Sequence, residues 1–428
     1  MARPDVSRAA IVSVGNELLY GQTVDTNAAW LGRVLAERGI PVVWRCTVGD
    51  VDADIVDAFD AARARADLVL VSGGLGPTPD DRTKPVIAAH LGRRLVPDEG
   101  ARRDVEARFR AAGLDAVPPR SRGQYDVPEG ARALRNPKGT APGLLLEEDG
   151  CTVVLLPGVP QELRAIVEGD VFALLDGGGV TREAVRHRVV HTTGIFETRL
   201  AEVLEPRLAS LPASLTRGID LAYLPDLGGV DLRFTTRDSD VGVAGERLER
   251  LVEALEDVLG PWRFEAESGD LAEATVRALA RFGRTVAVAE SCTGGLIGKR
   301  LTDVAGASDV FLGGVIAYSN ASKVRDLGVR EDDLARHGAV SEAVACGLAR
   351  GVAARFAADA GIGVTGVAGP AGGSDEKPVG TVWIAVFLDG EVEAFVAHFP
   401  GDRDSVRVRA AQAALAALHR RLLGVERR

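Results

Sequence analysis

The sequence predicts an α/β protein built as two three-layer α/β domains joined by a small α+β domain. Short, near-continuous apolar runs such as Asp67–Ser72 (DLVLVS) and Val153–Leu156 have the look of parallel strands covered on both faces. They alternate with helix-period segments through short connections, the order expected of repeated β-α-β units in a doubly wound sheet. Gly- and Ser-rich turns follow several of these strands, where α/β proteins present residues to ligands. With 428 residues, 46% hydrophobic and 26% charged, the chain has the core material for two to four globular domains.

Ala10–Val14 reads as the first strand and ends at Gly15-Asn16-Glu17. Asp25 and Thr26 are cap residues for a helix over Asn27–Arg38, whose apolar stripe is Ala28, Leu31, Val34 and Leu35 and whose stop is Gly39. Pro41–Cys46 is a strand, Asp54–Arg65 a helix and Asp67–Ser72 a strand; the loop GGLGPTPDD then leads to a helix over Thr83–Leu91. A charged helix covers Asp98–Ala112, and Val153–Leu156 runs into PGVPQEL at the start of another helix. The Gly-rich stretch Asp176–Val180 marks a boundary, followed by helix-like Glu197–Leu208, strand-like Asp231–Thr236 and helix-like Ala244–Val258. Pro261 to Gly269 marks a second boundary. The expected domains are therefore 1–170, 171–262 and 263–428. In the last, helix Leu271–Phe282 precedes strand Thr285–Ala289, the turn ESCTGG and helix Leu296–Thr302; strand Phe311–Tyr318 leads to a helix from Asn320. Ser341 caps a helix through Ala358, strand Ile362–Thr365 ends in GVAGPAGG, and Thr381–Leu388 pairs with Glu393–Phe399 across Asp389-Gly390. Asp402–Leu423 is the final helix.

A net charge of −10 and the lack of a basic aromatic stripe argue against direct nucleic-acid binding. No apolar run approaches a membrane span, and the amino terminus enters a strand with no signal-like apolar stretch; a cytoplasmic location is expected. The four cysteines are scattered without a CxxC pair, which points away from structural zinc and a disulfide framework. Five lysines stand against forty-six arginines. Where Arg could serve, this sequence has mostly used Arg, so each remaining Lys is a candidate for what a guanidinium cannot do, above all losing a proton near neutral pH.

One of those lysines, Lys323, follows a Ser-bearing strand–turn–helix signal. Ser291 lies where Thr285–Ala289 turns into a helix, and Tyr318 and Lys323 lie at the next strand-to-helix junction (YSNASK). Two adjacent parallel strands would place both junctions at one sheet edge. A Ser–Lys pair with a neutral amine suits nucleophilic catalysis, with a nearby Tyr to orient or relay the proton and the turn Gly294-Gly295 to meet an oxyanion. The alternative is that Ser291 only caps a helix and Lys323 is a solvated helix-start residue. Cys292 points elsewhere as a packing residue, and Lys299, two turns along the helix, is a surface or phosphate contact. The third junction, GVTGVAGPAGG, offers close backbone approach to a phosphate or ribose.

The stretches VAVAESCTGGLIGKRLTDVAGASDVFLGGVIAYSNASK and GVTGVAGPAGGSDEKPVGTVW resemble the carboxy-terminal domain of the CinA family, the competence/damage-inducible proteins related there to the stand-alone deamidase PncC, over about residues 265–425. The resemblance implies nicotinamide mononucleotide amidohydrolase activity without a cofactor. Ser291 would be nucleophile, Lys323 base and Tyr318 its helper, and Thr293, Gly294, Gly295, Asn320, Thr365, Gly366, Gly369, Gly372 and Gly373 would bind substrate.

In the first block, NELLYGQTVDTN and SGGLGPTPDD sit after strands. The second offers Gly73, Gly74 and Gly76 to a phosphate beside the carboxylates Asp80 and Asp81, which make chemical sense near a diphosphate only with a divalent metal between. The plain alternative is a capped helix with Thr78 as N-cap. About residues 8–170 resemble the molybdopterin-binding fold of enzymes such as MogA, in its CinA version. That resemblance implies metal-dependent hydrolysis of ADP-ribose, with Asn16, Glu17, Asn27, Ser72, Gly73, Gly74, Gly76, Thr78, Lys84, Pro157 and Gly158 binding nucleotide and Lys138 contacting phosphate; the assignment of the metal to Asp80 and Asp81 rests on the carboxylate chemistry alone. The expected partners are the two small nucleotides and, by family habit, a second copy in a homodimer. Two other readings remain open: a deamidase whose first domain only senses a nucleotide or pterin, and a competence or DNA-repair accessory without catalysis.

Overall fold

The computed structural model describes residues 6–175, 184–238 and 240–424. The expected boundary at Asp176–Val180 lies outside the described residues. Two compact units divide the chain, one of Met1–Arg186 with Arg237–Ala244, the other of His187–Thr236 with Gly245–Arg428.

In the first unit, strands Val42–Val48, Ala9–Val14, Leu68–Ser72, Cys151–Leu156, Gly143–Glu148 and Arg132–Leu134 lie side by side in that order. The first four are mutually parallel and the last two antiparallel. Ala9–Val14, Leu68–Ser72 and Cys151–Leu156 are buried along their whole length, as apolar strands between helix layers must be. One face packs Ile11, Leu70 and Val154 against helix Thr26–Ala36; the other packs Val12, Val71 and Leu155 with Ile55 and Phe59 of helix Asp52–Arg63. Asp25 caps Thr26–Ala36 by accepting a hydrogen bond from the Ala28 N–H at 2.9 Å. Helix Thr83–His90 starts later than a Thr78 cap would place it, and no side chain caps it.

A four-stranded sheet, Ile219–Pro225, Val230–Asp238, Ala184–Thr192 and Arg263–Phe264, covers the middle of the chain. Arg263 and Phe264 pair with Thr192 and His191, so this sheet reaches past residue 262.

The third sheet orders Phe311–Ile316, Val286–Glu290, Ala360–Gly366, Thr381–Leu388 and Glu391–His398. The first three strands are parallel, with Val286–Glu290 in the centre, and the last two form the expected antiparallel hairpin. Its turn residues Asp389 and Gly390 both have positive φ (52° and 90°), the conformation that fits a two-residue hairpin to strand twist. Helices Leu271–Arg281 and Arg403–Leu423 cover one face of this sheet, and Glu342–Phe356 the other. The architecture is mixed α/β, as the sequence pattern predicts.

Candidate functional site

Val286–Glu290 and Phe311–Ile316 are neighbours and parallel, so the loops leaving them open at the same sheet edge. Ser291 follows the first directly. Its N–H donates to the Val364 carbonyl at 3.0 Å, which ties this position to the third strand. Lys323 lies in the first turn of helix Asn320–Leu327, which is capped by Ser319. Its side chain folds inward: Nζ lies 3.1 Å from Ser291 Oγ and donates to the Ala317 carbonyl at 2.8 Å. Lys323 is 2% exposed and Ser291 8%, so this lysine is not the solvated helix-start residue of the plain reading.

Burial holds the Lys323 amine below the ordinary lysine range, because the charged form loses its water. With the amine neutral, one N–H goes to the Ala317 carbonyl and the nitrogen lone pair can receive the hydroxyl proton of Ser291 across the 3.1 Å contact. Cys292 is buried in the core, with its thiol pushed up to about 12 by desolvation, so it packs and carries no thiolate. Lys299 pairs with Asp303 at 2.6 Å on the surface.

At three positions of this edge the bonds made differ from those expected. Tyr318 is 62% exposed, and its hydroxyl accepts from the Arg403 guanidinium at 2.7 Å; neither bond of Lys323 Nζ goes to it. It sits two residues past the end of the strand, where its side chain turns outward. Gly294 and Gly295 do not offer free N–H groups to an oxyanion. The Gly294 N–H donates to the Ser291 carbonyl at 3.2 Å, and that of Gly295 to the Glu290 carboxylate at 3.0 Å. Thr365 likewise spends its hydroxyl on the Ala339 carbonyl at 2.8 Å. Of the other expected substrate residues, Asn320, Gly372 and Gly373 are exposed, Gly366 and Gly369 line the turn after Ala360–Gly366, and Thr293 is fully buried with no partner for its hydroxyl.

Two features escaped the sequence reading. Glu290, 1% exposed, accepts the N–H groups of Gly295, Ile297 and Gly298 at 3.0, 3.1 and 2.8 Å. A helix start normally invites an external anion; here the chain supplies its own, and Ser291 is the next residue. Its signal was the Glu at the head of ESCTGG, seven residues before Ile297 and eight before Gly298. Glu290→Gln removes the charge and one acceptor, leaving a buried N–H facing an NH₂ group; a loss of about 1–3 kcal/mol in unfolding free energy is expected, measured by denaturant titration. The second feature is a pair of arginines from the start of helix Arg403–Leu423. Arg403 donates to the Gly369 carbonyl at 2.7 Å as well as to Tyr318, and Arg407 donates to the Thr293 carbonyl at 3.0 and 3.2 Å. They bring positive charge to the loops around Ser291 where the helix start cannot.

In the first unit, a cleft of about 430 Å³ opens at the ends of the parallel strands, lined among others by Glu17, Asn27, Ser72, Gly73, Gly74, Gly76, Asp80, Asp81, Pro157 and Gly158. Gly73 has φ 107°, and a Cβ there would run into the Val14 carbonyl, so only glycine lets the chain turn this closely. Asn27 donates to the Gly158 carbonyl at 2.7 Å and to Ser72 Oγ at 3.3 Å, while its own buried oxygen has no partner. Asp25, Asp50, Gln124, Thr140 and Glu162 also line the cleft and were not read as site residues.

Asn16, Thr78, Lys84 and Lys138 are not among the lining residues. Asn16 donates its N–H to Asp50, Lys138 its N–H to Asn136, and Thr78 both N–H and hydroxyl to Asp81. Lys84 is 8% exposed and donates to the Gly123 carbonyl at 2.6 Å; desolvation brings it down to about 8. The Thr78 hydroxyl also draws the Asp80 carboxyl below its usual range. Among the described residues no three His, Cys, Asp or Glu side chains converge into a metal cage. The adjacent carboxylates of Asp80 and Asp81 fit another arrangement, an ion such as Mg²⁺ held by one or two carboxylates together with substrate phosphates and water.

The chain is thus a multidomain α/β protein that buries a Ser–Lys pair at one sheet edge and opens a Gly-rich acidic cleft at another. Three family models match it: "Probable molybdopterin binding domain" over residues 10–176, "Damage-inducible protein CinA KH domain" over 187–264 and "CinA C-terminal domain" over 268–422. A CinA-like protein of Gemmatimonas aurantiaca is 44% identical over 96% of this chain and 95% of its own length. A putative competence-damage inducible protein of Moorella thermoacetica is 42% identical over 97% and 99%. A solved CinA of unknown function from Thermoplasma acidophilum is 38% identical over 39% of this chain and 98% of its own, with a TM-score of 0.37. The chain belongs to the CinA family.

Proposed function

We propose that the carboxy-terminal domain hydrolyses the carboxamide of nicotinamide mononucleotide to a carboxylate and ammonia. The observation that carries this reading is the buried Lys323 Nζ, 3.1 Å from Ser291 Oγ and depressed by desolvation. The neutral amine takes the hydroxyl proton as Oγ attacks the amide carbon, made electrophilic by the pyridinium ring. The tetrahedral adduct collapses with the same proton passing to the departing nitrogen, which leaves as ammonia, and an ester on Ser291 remains. Water, deprotonated by Lys323, attacks the ester, and the carboxylate leaves as Oγ regains its proton. Arg403 and Arg407, whose guanidiniums reach the loops around Ser291, would meet the substrate phosphate. The test is incubation of the full chain with nicotinamide mononucleotide and measurement of ammonia; no release above a Ser291→Ala control refutes it.

For the first domain we propose hydrolysis of the diphosphate of ADP-ribose to AMP and ribose 5-phosphate. Support comes from the cleft's size, its glycine-lined floor at Gly73–Gly74 and the unsatisfied oxygen of Asn27. Bound with the substrate, a divalent ion would neutralise the diphosphate and polarise phosphorus. Asp80 and Asp81 would hold it, while the Gly73–Gly74 turn admits the phosphates close to the backbone. Asp81→Asn is expected to remove metal-stimulated AMP formation; undiminished stimulation by Mg²⁺ refutes the carboxylate's role.

A further inference from the structure

Helix Arg403–Leu423 carries a second set of residues away from Ser291. Arg409, Ala413, Ala416 and Arg420 recur at intervals of three and four, one stripe along the helix. Since successive residues turn about 100°, that stripe faces well away from Arg403 and Arg407. It forms one wall of a cleft of about 540 Å³, a volume suited to a small molecule.

The other walls carry four aromatic rings: Phe196 and Trp262 from the middle of the chain, Phe395 and Phe399 from the last strand and the loop after it. Phe196 is 78% exposed, a large apolar side chain left uncovered at the rim. Nε of Arg409 is shielded from solvent and has no hydrogen-bond acceptor. A shielded donor on a permanent cation without an acceptor is costly, and an incoming anion removes that cost. The guanidinium of Arg420 stands close over Gly194 on the same wall. Two carboxylates also line the cleft, Glu197 and Asp226; that of Asp226 is already engaged, its Oδ1 accepting the N–H groups of Gly228 and Gly229 at 2.6 and 2.8 Å. Aromatic side chains beside a cation in one cleft select a flat ring bearing negative charge.

We propose that this cleft is a further ligand site, distinct from the two above, that takes a small planar aromatic anion, with the anionic group on Arg409 and the ring among Phe196, Trp262, Phe395 and Phe399. A carboxylate and a phosphate would both supply that chemistry. The test titrates the full chain with benzoate and, separately, with phenyl phosphate, following tryptophan emission and ligand-observed saturation-transfer NMR. Saturable binding of at least one probe is expected, and the tighter of the two identifies the anionic group. Arg409→Gln should weaken it about tenfold or more while leaving the fold intact by circular dichroism. Trp262→Phe should remove the emission change yet keep the NMR signal. The proposal is overturned if neither probe binds, if uncharged benzyl alcohol binds as well as the anions, if Arg409→Gln binds like the parent, or if nicotinamide mononucleotide or ADP-ribose displaces the probe competitively.

Discussion

Ser291→Ala is expected to abolish the proposed ammonia release from nicotinamide mononucleotide, with a fall of roughly 10⁴–10⁶-fold, as when a nucleophile acting with its base is removed. The substitution deletes one oxygen from a position fixed by backbone: the Ser291 N–H stays bonded to Val364, and Glu290 keeps the following turn in place. Substrate affinity should therefore survive, so calorimetric binding with no turnover is the diagnostic pair of results. Retained turnover would remove Ser291 from the chemistry. Loss of both binding and turnover would mean that the hydroxyl is structural.

Lys323→Arg and Lys323→Met separate charge from proton transfer. Arg keeps a cation but cannot give up a proton near neutrality, and its fork is too large for a site 2% exposed. Both variants should lose activity by three orders of magnitude or more, as expected when a general base is missing (roughly 10²–10⁴-fold) and its partner is left inactive. Their stabilities should diverge. The native pKa of Lys323 lies below its unfolded value, so below the native pKa both states are protonated and the burial penalty on the ammonium is borne in full. As pH rises from the native towards the unfolded value, the unfolded chain binds more protons and stability climbs. Met, similar in length and uncharged, has no such penalty: it should melt roughly 2–4 °C higher at neutral pH, a gain that vanishes in alkali. The parent's kcat/KM should rise with pH through an ionisation below the ordinary lysine range, and that limb should be missing from any residual rate of Lys323→Met. A Met variant that melts lower at neutral pH would contradict a desolvated amine.

Much of this was readable from the chain. The apolar runs at 9–14, 68–72 and 286–290 announce buried parallel strands, and adjacency of two such strands is enough to bring Ser291 and Lys323 to one edge. What failed depended on side-chain direction or long range. Tyr318 looked equivalent to Lys323 because both share YSNASK, yet it faces outward to Arg403, 85 residues away. Arg407 meets Thr293 across 114 residues, a distance at which local pattern has no voice. Strand Ile219–Pro225 has no clean alternation of buried and exposed positions, so period-two reading passes over it. Ala184–Thr192 (AVRHRVVHT) holds two arginines and two histidines and lacked the apolar run that revealed the others. Asp80 and Asp81 were noticed as a pair, but the hydroxyl of Thr78 that engages Asp81 was read as a helix cap.

The Glu290 carboxylate has one more consequence. Because it gathers the three N–H groups of Gly295, Ile297 and Gly298, the loop takes its shape from within the polypeptide and waits for no visitor to organise it. Ser291 is cocked beforehand. Slow electrophiles such as boronic acids or sulfonyl fluorides should therefore label the resting protein at that oxygen, at a pace set by their own reactivity and by access to the pocket rather than by any rearrangement of the backbone.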